Sequence, residues 1–252
     1  MNCPKTNNPW LIFFRPNPQA ELRLFCLPYA GGGAGIFREW HKELNPKIEI
    51  CAVQLPGREN RLSEPAFNRL QPLITALSQA ILENLNQPFA FFGHSMGGLI
   101  CFELTRYLQQ VYGLTPVSLF VAGAGAPHIP DTKPPIHNLP PPEFVQELRR
   151  FNGTPTAVLE NQELMELISP TLRADFAVLE TYIYKTSTPL SCAITAFGGL
   201  ADTEVSQAEL AAWQEHTTSN FSLQMLPGNH FFIHENRLEL LNLLSKYLAV
   251  YI

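Results

Sequence analysis

The stretch Phe89-Ala90-Phe91-Phe92-Gly93-His94-Ser95-Met96-Gly97-Gly98 places a serine between glycines, where an apolar run gives way to a helical pattern. The run at 89–92 is typical of a central parallel strand buried on both faces. Apolar residues from 98 to 110 recur at helical spacing. The pattern G-x-S-x-G at such a junction holds a serine hydroxyl out on a sharp turn, where a histidine can reach it. We therefore predict that Ser95 is a nucleophile. The alternative is a glycine-rich turn that only packs closely.

Apolar runs and helical patterns alternate along most of the chain. The predicted strands are 22–27, 49–54, 89–92, 118–122, 191–197 and 221–226. This alternation favours the α/β class, with a mostly parallel sheet covered by helices on both faces. A length of 252 residues suits one such domain, predicted to span 1–252.

A helical insertion interrupts the alternation at about residues 126–189. A proline cluster there leads into three amphipathic patterns, at 143–151, 160–168 and 171–184. An insertion on the catalytic side of a sheet is typical of a lid that keeps water from the reacting groups. The apolar faces predicted to shelter a substrate are Phe144, Val145 and Leu148, and Phe176, Leu179 and Tyr182. The alternative is that these faces only close a small core within the lid.

The carboxylate that orients the base should come after the serine in the chain. Three aspartates do so. Asp131 lies in the proline-rich stretch, and Asp175 lies near the start of a helical pattern. Asp202 follows a predicted buried strand, and catalytic groups collect at the carboxyl ends of such strands. We predict that Asp202 is the acid, with Glu204 as a remaining possibility. The alternative is an aspartate that caps a turn or helix.

The base should be one of the three histidines that follow Asp202. His216 lies in a helical pattern, and we expect it at a solvated helix end. His234 lies at the start of the final helix. His230 lies in the last loop before that helix, directly after a predicted strand, so we predict that His230 is the base.

A catalytic serine also needs hydrogen-bond donors for the oxyanion that forms when it attacks. One donor should be the backbone N–H of Met96, the residue after the serine. The second should come from the glycine-rich turn after the strand at 22–27, and we place it at Ala30, give or take one residue. That turn lacks the Lys-Ser/Thr of a phosphate-binding loop and the spacing of a dinucleotide fingerprint.

Composition and charge restrict the remaining function classes. The formal net charge is −5, and no basic cluster is dense enough to suggest nucleic acid. The apolar run at 10–14 is too short for a signal-peptide core, and no segment could span a bilayer, so we expect a cytoplasmic protein without a membrane partner. We also expect a monomer without a cofactor or a metal ion, because no Cys/His metal spacing is present. Five cysteines are far apart in the sequence, and we expect four of them, which fall in apolar strand or helix patterns, to be reduced and buried: Cys26, Cys51, Cys101 and Cys192, but not Cys3.

Several motifs together resemble the type II thioesterases, the stand-alone editing enzymes of non-ribosomal peptide and polyketide synthetases. The resemblance extends from about Phe25 to the final helix, and no catalytic position departs from it. Its P-G-R-x-x-R and R-A-D segments are not general features of α/β-hydrolases. The motifs are Pro28-Tyr29-Ala30-Gly31-Gly32-Gly33, Trp40, Gln54-Leu55-Pro56-Gly57-Arg58-Glu59-Asn60-Arg61, Gly93-His94-Ser95-Met96-Gly97-Gly98, Leu172-Arg173-Ala174-Asp175, Gly199-x-x-Asp202 and Gly228-x-His230-Phe231.

This resemblance implies an α/β-hydrolase fold and the hydrolysis of acyl groups from the phosphopantetheine arm of carrier-protein domains. It matches Ser95, Asp202 and His230 to the family's catalytic triad. It matches Ala30 and Met96 to the family's oxyanion hole. The phosphopantetheine belongs to the partner, so no cofactor of the enzyme itself is implied.

Three further questions stay open at the level of sequence. Carrier domains tend to be acidic, so docking would need a local basic patch, such as Arg149 with Arg150 or Arg38 with Lys42; the alternative is scattered solvated charges. A general carboxylesterase or lipase would share the triad. A non-catalytic binding protein with the same fold is a third reading, although such a protein has no physical need for all three triad residues.

Overall fold

The computed structural model describes residues 8–252, so Cys3 lies outside the described part of the chain. Residues 8–252 form one seven-stranded sheet in the order β1-β3-β2-β4-β5-β6-β7. Strand β1 pairs antiparallel with β3, and every other neighbouring pair is parallel. The strands are β1 (Leu11–Ile12), β2 (Leu22–Leu27), β3 (Ile48–Val53), β4 (Phe89–His94), β5 (Ser118–Ala122), β6 (Ala193–Gly199) and β7 (Phe221–Leu226).

Helices connect the strands and cover the sheet. The α-helices are α1 (Leu70–Ile81), α2 (Met96–Tyr112), α3 (Pro141–Phe151), α4 (Thr156–Leu159), α5 (Gln162–Glu180), α6 (Gln207–Ala211), α7 (Phe232–Glu235) and α8 (Arg237–Leu248). Short 3-10 helices occupy Ala34–Phe37, Trp40–Lys42, Glu59–Arg61, Leu82–Asn84, Ala212–His216 and Ala249–Tyr251. The predicted α/β class with a mostly parallel sheet is confirmed.

Two apolar layers hold the sheet between its helices. Side chains alternate along each strand, so Phe91 of β4 faces one layer and Phe92 faces the other. The first layer contains the buried faces of α1 and α2, and the second contains that of α8. Strands β2 and β5 are buried almost throughout and are nearly continuous apolar runs, whereas β7 is half-buried and carries Ser222 and Gln224 between apolar residues; all three have the predicted boundaries.

Helices α3, α4 and α5, here called the lid helices, lie between β5 and β6. The patterns predicted at 160–168 and 171–184 form a single helix, α5, with Pro170 inside it. A proline removes one backbone hydrogen bond, to the carbonyl four residues earlier. Pro170 and Glu166 are both exposed, so water can satisfy the freed carbonyl.

The lid helices have a small apolar core of their own. Phe144 and Leu148 are buried in it, and Val145 and Phe176 pack against it. Leu179 and Tyr182 pack instead against the main core beside the sheet. The first predicted face and Phe176 therefore fit the alternative, in which the apolar residues close the lid's own core. Leu179 and Tyr182 do not.

Candidate active site

Ser95 occupies a strained turn between β4 and α2, with φ 51° and ψ −114°. A non-glycine residue with positive φ is costly and persists where the surroundings enforce it. Here the turn is enforced by close backbone packing: a Cβ on Gly93 would lie 2.1 Å from the Gly97 carbonyl oxygen, and one on Gly97 would lie 2.3 Å from that of Leu27. The glycines therefore allow the strand-to-helix turn that leaves Ser95 half-buried.

Asp202 and His230 form a hydrogen-bonded pair. The His230 Nδ1–H donates to Asp202 Oδ2 at 2.9 Å, and the side chain of Asp202 is fully buried. The other oxygen, Oδ1, accepts the backbone N–H groups of Glu204 and Val205 at 2.8 and 3.2 Å. Burial by itself would raise the pKa of Asp202, but the hydrogen bonds and the imidazole together hold that pKa below its ordinary value. An ionised Asp202 leaves Nε2 of His230 as the ring nitrogen that can accept a proton.

Backbone contacts bring the two loops of this pair together. The Ala201 N–H donates to the Gly228 carbonyl at 2.8 Å, across the ends of β6 and β7. A Cβ on Gly199 would lie 2.3 Å from the Asn229 carbonyl oxygen, so only glycine allows the loops to approach this closely. The last residues of β6 and β7, Gly199 and Leu226, are register partners. Asp202 and His230 therefore lie in neighbouring loops at the same end of the sheet.

His94 links the serine turn to the histidine loop. Its Nε2–H donates to the His230 carbonyl at 2.8 Å, and the two imidazole centroids lie 5.2 Å apart. Burial and the neighbouring His230 lower the pKa of His94 well below its ordinary value, so its ring is neutral. Within residues 8–252, Ser95 and His230 make no direct hydrogen bond. Such bonds are often long without substrate and tighten in the complex.

The backbone N–H groups of Ala30 and Met96 have no hydrogen-bond acceptor in the described part of the chain. Met96 is the first residue of α2, where an N–H has no partner within the helix. Ala30 follows β2, whose last residue Leu27 is the register partner of Gly93. The carbonyls of Leu27 and Pro28 lie directly against Gly97. These contacts place the segment that leads into the Ala30 turn beside the start of α2, so the two free N–H groups are candidate donors for an oxyanion hole near Ser95.

A buried ion pair behind the Ala30 turn is a feature that the sequence analysis did not assign. Arg58 Nη1 and Nη2 donate to Asp175 Oδ2 and Oδ1 at 2.7 and 2.8 Å. The side chains are only 6% and 3% exposed. The signal in the sequence was the pair of family motifs that contain these residues. Their partnership was not visible, because Arg58 and Asp175 lie 117 positions apart.

The other candidate acids are engaged by groups other than the His230 ring nitrogens. Glu204 is paired with Lys133 and Arg150, both at 2.8 Å. Burial by itself would raise the pKa of Glu204, but these two cations hold it below its ordinary value. Asp131 accepts the backbone N–H of Lys133 in an exposed turn, and Asp175 is engaged by Arg58. The assignment of Asp202 as the catalytic acid stays a prediction, now with this geometry beside it.

The expectation of a solvated His216 was wrong. The residue lies at the end of a 3-10 helix, as expected for a helix end, but it is only 5% exposed. Its ring packs against Phe102 and Trp213, and its Nε2 lies 2.7 Å from Nδ1 of His128. The other candidate base, His234, has its Nε2 3.1 Å from the Tyr29 hydroxyl.

We expect the buried His216 to make the fold sensitive to acid. Burial, with His128 and Arg106 nearby, lowers the pKa of His216 to about 4. The unfolded chain therefore binds a proton first, near pH 6.5, so stability falls as the pH is lowered from about 6.5 to 4. His216 should contribute up to about 3 kcal/mol of this loss. Urea unfolding across this pH range should show a smaller loss for His216→Gln than for the wild type, whereas parallel curves would contradict the assignment.

The lid contacts the histidine loop directly. A Cβ on Gly153, between α3 and α4, would lie 2.3 Å from the Phe231 ring. Phe231 follows His230, and its ring centroid lies 5.1 Å from that of Tyr29. The lid therefore touches the loop that carries the candidate base.

Residues 8–252 contain no group of three or more His, Cys, Asp or Glu side chains that could hold a metal ion. None of the helices in the same residues has the length and apolar character needed to cross a bilayer. The cysteines in this part of the chain, Cys26, Cys51, Cys101 and Cys192, are buried free thiols.

Comparisons with known proteins cover nearly the whole chain. Residues 22–248 match the family described as Thioesterase domain. The chain is 47% identical over 243 residues to the gramicidin S biosynthesis protein GrsT of Aneurinibacillus migulanus, covering 96% of this chain and 95% of that protein. It is 46% identical over 246 residues to a Brevibacillus parabrevis protein named linear gramicidin dehydrogenase LgrE, covering 96% and 94%. Its fold is similar to that of the type II thioesterase BorB from the borrelidin biosynthetic cluster, with a TM-score of 0.87 and 35% identity, covering 95% and 97%.

The glycine-rich turn of this chain differs from a dinucleotide site, although one relative is named a dehydrogenase. Residues 31–36 read Gly-Gly-Gly-Ala-Gly-Ile, whereas the fingerprint G-x-G-x-x-G would require a glycine at its sixth position, where Ile36 stands. The Gly31 N–H donates to Asp175 and the Gly32 N–H donates to the Tyr29 carbonyl. These N–H groups are therefore already used within the protein.

Proposed function

The chain belongs to the thioesterase domain family, and on that premise we propose that it hydrolyses acyl groups from the phosphopantetheine arm of carrier-protein domains, with Ser95, His230 and Asp202 as its triad. The relatives named for gramicidin S and borrelidin biosynthesis support this substrate class. One observation carries the choice of site. Asp202 holds His230 by Nδ1 at the sheet edge where Ser95 occupies its strained turn.

The proposed reaction has two steps. In the first, Ser95 Oγ attacks the thioester carbonyl carbon while His230 Nε2 takes the hydroxyl proton, and the oxyanion is held by the N–H groups of Ala30 and Met96. The C–S bond then breaks, and the pantetheine sulfur leaves with the proton from His230. In the second, His230 takes a proton from water, which attacks the acyl-serine carbonyl carbon. The C–Oγ bond then breaks, His230 returns the proton to Ser95 Oγ, and the acid is released. Asp202 fixes the imidazole tautomer and stabilises the imidazolium in both steps.

Docking of an acidic carrier requires positive charge near the site, because the chain as a whole carries −5. In the patch 149–150, Arg149 is exposed, whereas Arg150 already pairs with Glu147 and Glu204. In the second patch, Arg38 is exposed and Lys42 pairs with Glu39. Arg149, at the end of a lid helix, is therefore the first residue to test for docking.

We expect the enzyme to prefer a thioester on a carrier over a simple ester. The test measures acid release from acetyl-, medium-chain and long-chain acyl-phosphopantetheinyl carrier protein, beside the same acyl groups on free pantetheine and on p-nitrophenol. Contacts with the carrier supply binding energy remote from the reacting bond, so kcat/KM for the carrier should exceed that for free pantetheine by at least about tenfold. The free pantetheine arm separates thioester chemistry from carrier docking.

Two outcomes would overturn this proposal. Turnover of the p-nitrophenyl ester alone would indicate a general carboxylesterase. Turnover of none of the three substrates would favour a non-catalytic binding protein.

A further inference from the structure

The turn that carries Ala30 is held from the lid side by a single carboxylate. Asp175 lies in α5 and accepts the backbone N–H of Gly31 through Oδ2 at 2.7 Å. The same oxygen accepts a hydrogen bond from Arg58 Nη1 at 2.7 Å. Arg58 Nη1 also donates to the Gly32 carbonyl at 3.1 Å. The ion pair therefore holds the turn by one backbone donor, the Gly31 N–H, and one backbone acceptor, the Gly32 carbonyl.

The geometry of the turn connects the Asp175 hydrogen bond to the direction of the Ala30 N–H. The Gly32 N–H donates to the Tyr29 carbonyl at 2.9 Å, and Gly31 has φ 78°. These are features of a type II turn, with Ala30 and Gly31 at its two central positions. In a trans peptide the C=O and N–H point in opposite directions, so the direction of the Tyr29 carbonyl fixes that of the Ala30 N–H. Asp175 holds the next peptide plane, the one that ends in the Gly31 N–H.

The same face of α5 also covers the turn. Leu172 and Asp175 lie one helical turn apart, and a Cβ on Gly31 would lie 2.5 Å from Leu172 Cδ2. Thr171 anchors this face to a neighbouring loop, since its hydroxyl donates to the Gly57 carbonyl at 2.6 Å. The turn is thus packed by one residue of the lid helix and hydrogen-bonded by another.

We propose that Asp175, paired with Arg58, is a positioning residue for the oxyanion hole, through which the lid helix α5 aligns the Ala30 N–H for the transition state. The role rests on the proposed function, in which Ala30 and Met96 bind the oxyanion. If α5 moved away from the turn, the turn would lose both the packing of Leu172 and the Asp175 hydrogen bond that aligns the Ala30 N–H.

The experiment compares Asp175→Asn with Glu49→Gln. The asparagine has one acceptor oxygen where the carboxylate has two, so it cannot serve Arg58 and Gly31 as before. Glu49 is also a buried carboxylate that accepts one backbone N–H, from Asn17, and one arginine, Arg23, but it lies near the start of β3, at the opposite end of the sheet from Ser95. For each variant we would measure kcat and KM with acyl carrier protein, and the melting temperature. We would also measure affinity for two pantetheine probes: a trifluoromethyl ketone, which forms an oxyanion on the serine, and an S-alkyl thioether, which cannot.

We expect Asp175→Asn to lower kcat and trifluoromethyl ketone affinity by about 10- to 100-fold. This loss is no larger than the loss expected when one oxyanion-hole donor is removed outright. KM and thioether affinity should change less than about twofold, because the ground state uses the oxyanion hole little. Glu49→Gln should keep the wild-type kcat even if its melting temperature falls as far. If Asp175→Asn does not fold, Arg58→Lys, which keeps the charge but loses the two-pronged grip, should lower kcat with KM unchanged.

Three results would overturn the proposal: an unchanged kcat in Asp175→Asn, an equal loss of kcat in Glu49→Gln, or a loss confined to KM and thioether affinity. The failure of the proposed function is distinguishable, because it would show as persistent turnover in Ser95→Ala. An inactive Ser95→Ala beside a fully active Asp175→Asn would remove only the role of Asp175.

Discussion

Replacing Ser95 with alanine is expected to abolish turnover of acyl carrier protein, with kcat lowered by about 10⁶-fold if the loss matches that in serine proteases. The substitution removes the only atom that can form the acyl-enzyme, while the strained turn remains. The measurement is acid release from acyl-phosphopantetheinyl carrier protein, with binding of the intact acyl carrier as a second readout.

The fold of this variant serves as the control. Alanine can occupy the half-buried site of Ser95 without new contacts, so the melting temperature should stay within a few degrees of the wild type. Turnover within tenfold of the wild type in a folded Ser95→Ala protein would exclude Ser95 as the nucleophile.

Asp202→Asn is expected to lower kcat by about 10⁴-fold while leaving the site geometry in place, by analogy with serine proteases. An asparagine amide presents a donor or a neutral oxygen to His230 Nδ1, so the tautomer with a free Nε2 is no longer enforced. The loss should appear in both acylation and deacylation, since His230 acts in both.

Glu204→Gln is the matched control for this substitution. It removes a carboxylate two residues away, which binds Lys133 and Arg150 rather than His230. We expect kcat within about threefold of the wild type, because the Asp202 hydrogen bonds to His230 and to the backbone do not involve the Glu204 side chain. The reverse pattern, with an active Asp202→Asn and an inactive Glu204→Gln, would move the acid to Glu204.

The sheet was largely predictable because its signals are local. Strands β2 and β5 are mostly apolar runs, β7 places apolar residues on either side of Ser222 and Gln224, and all three begin and end where predicted. Strand β1 was missed because it has two residues and forms only through its pairing with β3. The single helix α5 was read as two because Pro170 is a strong local stop signal, whereas packing on both sides of the proline keeps the helix continuous.

The site was predictable only where chain order and strand ends restrict the choices. Ser95, Asp202 and His230 each follow a strand of one parallel sheet, so their side chains emerge at the same edge. The pairing of Arg58 with Asp175 and the burial of His216 depend on tertiary contacts between distant segments. No local pattern tells which buried charges meet, or which histidine a neighbouring tryptophan will cover.

The most direct test of the proposed mechanism is labelling with a fluorophosphonate, which reacts with an activated serine and releases fluoride. We would follow the label by mass spectrometry of the digested protein and measure acyl carrier turnover in the same samples. The mechanism predicts one label per chain, on Ser95, with turnover lost in proportion to labelling and no label on Ser95→Ala. Label on another residue, or full turnover in a protein whose Ser95 is completely labelled, would contradict it.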